Sequence, residues 1–91
     1  MLQVYLNGRD FESPEEVHEF LAKELEFPAY YGRNLSALYD VLTDISDDTR
    51  IVIDLSGVED DTMLDMLERM VEVMTDAADE NEYLEIECME R

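Results

Sequence analysis

The sequence predicts an α/β fold of two layers, a three-stranded parallel sheet backed by helices in the order β-α-α-β-α-β. Three observations carry this reading. Runs with strand periodicity open the chain (Leu2 to Asn7), recur at Ile51-Val52-Ile53 and close it at Leu84, Ile86 and Cys88. Helical periodicity fills the gaps, and helical crossovers between strands imply parallel pairing with right-handed connections. The first and last runs alternate apolar and polar residues, so one face of the sheet is expected to lie open. At 91 residues the chain is expected to form one domain spanning 1–91.

Each element has its own local reason. Leu2, Val4 and Leu6 alternate with Gln3, Tyr5 and Asn7, and Asn7-Gly8 ends the strand in a turn. Ser13-Pro14-Glu15-Glu16 reads as a helix start, with Ser13 as N-cap, Pro14 in the first turn and Glu16 closing a capping box. Val17, Phe20, Leu21 and Leu25 mark one helical face, and Pro28 is expected to stop the helix. Phe27 to Asn34 is an aromatic, turn-rich loop in which Asn34 is placed to cap a second helix with an apolar stripe of Leu35, Leu38 and Leu42. Ile51-Val52-Ile53 suits a central strand buried on more than one side. Asp60, Asp61 and Thr62 are capping candidates for a helical stretch over 61–79, one helix or two, whose core face is Met63, Leu67, Met70, Val71, Met74 and Ala78. Met66 falls off that stripe.

Charge is the most pronounced feature. Six basic residues against 25 acidic ones give a net charge of −19. Residues 1–43 carry net −5 and residues 44–91 net −14. Such a field repels nucleic acid and anionic membranes and draws basic partners; it also serves solubility, and at low salt self-repulsion favours a monomer. No apolar run approaches the ~20 residues of a membrane helix. The start of the chain has no basic region followed by a cleavage site, and Cys88 is the sole cysteine. A cytoplasmic location is therefore expected.

Catalytic chemistry finds little support. His18, the only histidine, sits beside the apolar stripe of the first helix and reads as a partly exposed helical residue; Cys88 belongs on the buried side of the last strand. Zinc-ligand spacing and a glycine-rich phosphate loop are absent, and Asp44 to Asp48 is too short for a calcium loop. The expectation is a non-enzymatic protein with no cofactor and no bound metal.

One constellation stands out. At 100° per residue, Ser36, Tyr39, Asp40 and Thr43 share about one quadrant of the second helix, opposite the leucines, with Tyr30 and Tyr31 of the preceding loop able to lie beside them. Tyrosines around a carboxylate are the ingredients of a protein-binding hot spot, since the rings give rigid apolar area and a desolvated charge gives direction. Every amphipathic helix has a polar face, so the pattern alone also fits an ordinary exposed surface.

The run Pro28-x-Tyr30-Tyr31-Gly32-x-Asn34-Leu35-x-Ala37-Leu38-x-Asp40 resembles the signature of the barstar family, intracellular inhibitors of barnase-type ribonucleases. The likeness extends upstream through His18, Leu21 and Lys23-Glu24-Leu25, and the order of elements agrees along essentially the whole chain. It implies a barstar-like fold and a role as inhibitor, or immunity protein, of a basic extracellular-type ribonuclease or related toxin. In the family the loop and second helix enter the enzyme's active site. The resemblance gives Asp40 the place of a substrate phosphate, stacks Tyr30 on the catalytic histidine and adds an acidic rim contact at Asp76. Tyr31, Asn34, Ser36, Tyr39 and Thr43 complete the implied partner-binding set.

Two positions depart from the family pattern. Ser36 stands where an aspartate is usual and Tyr39 where a tryptophan is usual. The missing central charge weakens the expectation that barnase itself is the target. The alternative is an acidic adaptor or nucleic-acid mimic that binds another basic protein without inhibiting it.

Overall fold

A computed structural model describes all of residues 1–91. The elements follow the predicted order: β1 (Leu2–Asn7), a single 3-10 turn (Gly8–Asp10), α1 (Pro14–Glu24), α2 (Leu35–Thr43), β2 (Thr49–Asp54), α3 (Asp61–Glu80) and β3 (Leu84–Met89). The strands form one parallel sheet in the order β1-β2-β3. The stretch over 61–79 is one helix, started by Asp60, whose carboxylate accepts from the N–H groups of Thr62 and Met63.

The register explains both faces of the sheet. Val4, Ile51 and Ile86 form one row and Leu6, Ile53 and Cys88 the next, all turned toward the helices. Across the other face lie Gln3, Arg50 and Glu85, then Tyr5, Val52 and Glu87. That face is open, and polar contacts lace it together. Tyr5 Oη donates to Asp54, and Arg50 donates to Glu87 while lying near Glu85. Val52 is nonetheless only 5% exposed, so the central strand is buried on both sides as its unbroken apolar run predicts. Gly8 is required where it stands, because an added Cβ would lie 2.8 Å from Val58 Cγ2 and 2.9 Å from Leu67 Cδ1.

The core joins β1 and β2 to Val17 and Leu21 of α1, Leu38 and Leu42 of α2, and Met63, Leu67, Met70, Met74 and Ala77 of α3. Several expectations need correction. Ala77 rather than Ala78 completes the α3 stripe, and Val71 is only half-buried, because the stripe drifts around a 20-residue helix. Ile86 and Cys88, by contrast, pack against the core on the side expected of them, and are half-buried because β3 is an edge strand. Glu16 closes its contact on the N–H of Glu12 instead of Ser13. The first helix ends well before Pro28: Glu26 takes φ 54°, and Phe27 N–H bonds back to Ala22 C=O, a Schellman closure with glutamate where glycine is commonest. No helix is long and apolar enough to cross a membrane.

Candidate protein-binding face

Two hydrogen-bonded devices set the loop between α1 and α2. Asn34 caps α2, accepting from Ala37 N–H at 2.8 Å and donating to Gly32 C=O at 3.3 Å. Before it, Tyr31 turns inward. Its ring packs on Phe27 with centroids 4.8 Å apart, and its hydroxyl meets His18 Nδ1 at 2.6 Å. Both residues of this pair are buried, which corrects two expectations: Tyr31 is not part of the exposed face, and His18 is not a partly exposed helical residue. Burial pushes the Tyr31 hydroxyl up to about 12, with Arg33 acting the other way. Burial also lowers the His18 pKa, helped by Arg33 and opposed by Glu15.

With Tyr31 anchored below, Tyr30 stands 86% exposed. It borders a groove of about 230 Å³ whose wall includes Phe27, Pro28, Asp40 and Val41. A second groove, of about 270 Å³, runs between α2 and α3 and is lined by Leu35, Ser36, Tyr39, Asp40, Val73 and Asp76. Asp40 therefore forms the ridge between the two. Its carbonyl accepts from Thr43 Oγ1 at 3.0 Å, while its carboxylate has no hydrogen bond or ion pair within the chain, and neither has that of Asp76. An unpaired carboxylate on a rigid helix is free to meet a cation without first breaking an internal bond.

The structure thus brings together Tyr30, Ser36, Tyr39, Asp40 and Asp76. Asn34 and Thr43 shape the face from within, Asn34 as the cap and Thr43 through its bond to the α2 backbone. Sequence reading assigned Leu35 to the core stripe, but it is 38% exposed and lines the α2–α3 groove; Val73 was not singled out. The signal was available, because Leu35 lies a turn before Leu38 at the very start of the helix, where burial is least complete. Asn81 was missed altogether. Buried at the end of α3, it donates to Leu42 and Ile45 C=O, both at 2.9 Å, and accepts from Tyr83 N–H. It adds a donor to the last turn of α2 and the segment just beyond it, and so ties the end of α3, the helix of Asp76, to the helix bearing Asp40.

The largest crevice lies elsewhere, about 620 Å³ at the carboxyl ends of β1 and β2, where parallel sheets often bind ligands. It is bordered by Arg9, Asp10, Glu12, Glu59 and Asp60, and the Asp60 carboxylate is spent on capping α3. No group of three or more metal-ligating side chains converges there or anywhere else in the chain.

Residues 1–89 match a family model described as "Barstar (barnase inhibitor)". Over 43 residues the chain is 54% identical to a protein of Bacillus subtilis (strain 168) named "Putative ribonuclease inhibitor YrdF". That match takes in 47% of this chain and 47% of the relative, about half the length of each.

Proposed function

The chain belongs to the barstar family, and from that premise we propose that it is a non-catalytic, cytoplasmic inhibitor that plugs the active site of a basic ribonuclease with the face built around Asp40. The observation that carries this reading is the state of the Asp40 carboxylate. It is exposed, unpaired within the chain and set on a ridge between two grooves, with Tyr30 along one and Tyr39 and Asp76 along the other. A ribonuclease cleft holds phosphates and is therefore cationic. A fixed carboxylate occupies the place of a phosphate, aromatic side chains cover the bases' space, and the field of −19 speeds the encounter.

Inhibition of a barnase-type ribonuclease by the wild type, Asp40→Ala and Ser36→Asp tests the proposal. Truncating a buried, charge-paired anchor costs about 2–5 kcal/mol, or roughly two to four decades of affinity, a range to which barnase–barstar measurements themselves contribute. Asp40→Ala is expected to abolish inhibition without altering the fold, and Ser36→Asp to strengthen it by adding a charge to the same groove. Equal inhibition by wild type and Asp40→Ala would refute the proposal. Binding that depends on the acids of residues 44–91 and ignores Asp40 would instead describe an acidic adaptor.

A further inference from the structure

Asp40 divides two grooves, and the one on the Tyr30 side holds more than substrate mimicry uses. It lies where α1 and α2 both end. Its wall includes Leu25 and Glu26, just past α1, and Val41 and Asp44, from the last turn and C-cap of α2. Phe27, Val41 and Ile45 give it an apolar lining, each half-buried and packed against the core. Beside them stand three exposed acids, Glu26, Asp40 and Asp44, none of them in an ion pair. No lysine, arginine or histidine lines the groove; Lys23, in the last turn of α1, lies outside it. The acids are spread along the groove rather than gathered to hold a metal ion. The backbone is fixed on both sides. Phe27 N–H bonds to Ala22 C=O and Tyr31 N–H to Pro28 C=O, while Ile45 C=O accepts from Asn81.

Two residue choices here run against local preference. The last turn of a helix carries partial negative charge and favours cations, yet an acid follows the end of α1 and another caps α2, whose last turn has no base. Glu26 also takes φ 54°, where glycine is commonest. Such departures from local preference collect where a function compensates for them. A cation would compensate here. Carboxylates, helix-end carbonyls and an apolar lining together suit a basic side chain, whose alkyl stem lies along apolar surface while its head seeks charge. At about 230 Å³ the groove is also smaller than the ~300 Å³ from which small-molecule sites begin.

We propose that this groove seats a lysine or arginine side chain of the partner ribonuclease, with Glu26 and Asp44 holding its head and Phe27, Val41 and Ile45 its stem. It is a second basic contact, apart from the phosphate-binding cations that meet Asp40. This inference rests on the inhibitor reading and adds a feature of the partner: a basic residue on the rim of its cleft, on the side that meets Tyr30.

The test measures inhibition of barnase by the Ser36→Asp protein, taken as parent because it carries the central charge. To it are added Glu26→Gly, Asp44→Asn, both together, Asp40→Ala, and Glu68→Gln with Glu72→Gln, two exposed acids of α3 outside both grooves. Each is assayed at about 0.1 M and about 1 M salt, where the screening length is about 10 Å and about 3 Å. The paired groove variant is expected to weaken inhibition about ten-fold at both, whereas the α3 pair acts only at the lower salt. Urea unfolding is expected to place Glu26→Gly at or above its parent, because glycine suits the left-handed backbone. Inhibition by the groove pair within about two-fold of the parent at the higher salt would overturn the proposal. So would a loss of stability in Glu26→Gly, which would make the glutamate a structural residue. Asp40→Ala keeps the two levels apart. If it abolishes inhibition while the groove pair changes nothing, only the second seat falls; if it changes nothing, or the parent does not inhibit at all, the substrate-mimic reading falls and this inference with it.

Discussion

His18 Nδ1 and Tyr31 Oη stand 2.6 Å apart in the interior, tying α1 to the loop that holds Tyr30 in solvent. No buried side-chain nitrogen or oxygen in the chain lacks a hydrogen-bond partner, so this pair satisfies a polar group that the core could not otherwise accept. Tyr31→Phe keeps the ring and its packing on Phe27 but leaves the imidazole nitrogen without a partner. The expected loss is about 1–3 kcal/mol in urea unfolding.

The same tyrosine sets an alkaline limit. Its folded pKa is raised to about 12, so the native state keeps the proton that the unfolded chain releases near 10. Its contribution is fully present below pH 10 and is lost as pH rises from there toward 12. Wild type is expected to lose stability faster than Tyr31→Phe over that interval, so the difference between them narrows in unfolding curves recorded from pH 9 to 12.

His18 acts at the other end. Its folded pKa lies below the ordinary 6.5, so the unfolded state binds the proton first as pH falls. The neutral buried imidazole contributes stability above 6.5 that declines as pH drops through the folded value. His18→Gln has no such group. The gap in unfolding free energy between wild type and this variant is expected to shrink from pH 7 to 5; a constant gap would exclude the mechanism.

Asn81 makes a structural prediction. Asn81→Ala removes the partner of Ile45 C=O, just past the end of α2, and one of the donors to Leu42 C=O, which keeps the Ile45 N–H. The expected cost is about 1–3 kcal/mol. Because the same bonds hold α3 to α2, the variant is also expected to weaken partner binding while leaving Asp40 itself in place.

The sequence's periodicities were enough for the order of elements, the parallel sheet and its open face, because apolar spacing follows directly from which face is buried. The position of Asp40 and Ser36 on the outer side of α2 was legible for the same reason. What escaped depends on contacts between elements distant in sequence. Tyr30 and Tyr31 are adjacent and chemically identical, and only the presence of His18 and Phe27 beneath the loop decides which one turns inward. Asn81 looks like an ordinary helix-ending residue until the carbonyls of α2 are found beside it. The end of α1 was misplaced because glutamate rarely takes the left-handed conformation that Glu26 adopts there.

Acids outside the grooves and the anchor at Asp40 are expected to act on different rate constants. Neutralising exposed acids of α3 away from the grooves, such as Glu68 and Glu72, is expected to lower the association rate, most strongly below 0.1 M salt, where screening extends beyond about 10 Å. Asp40→Ala is expected to raise the dissociation rate instead. Stopped-flow binding across a salt series distinguishes the two.

Competition with an active-site ligand tests substrate mimicry most directly. The apparent affinity of the protein for a barnase-type ribonuclease is measured by calorimetry at increasing concentrations of a mononucleotide phosphate that occupies the catalytic cleft. If Asp40 takes the place of a phosphate, the two are mutually exclusive and the apparent dissociation constant rises in proportion to nucleotide. A ternary complex, with affinity independent of nucleotide, would contradict the account and place the contact outside the active site.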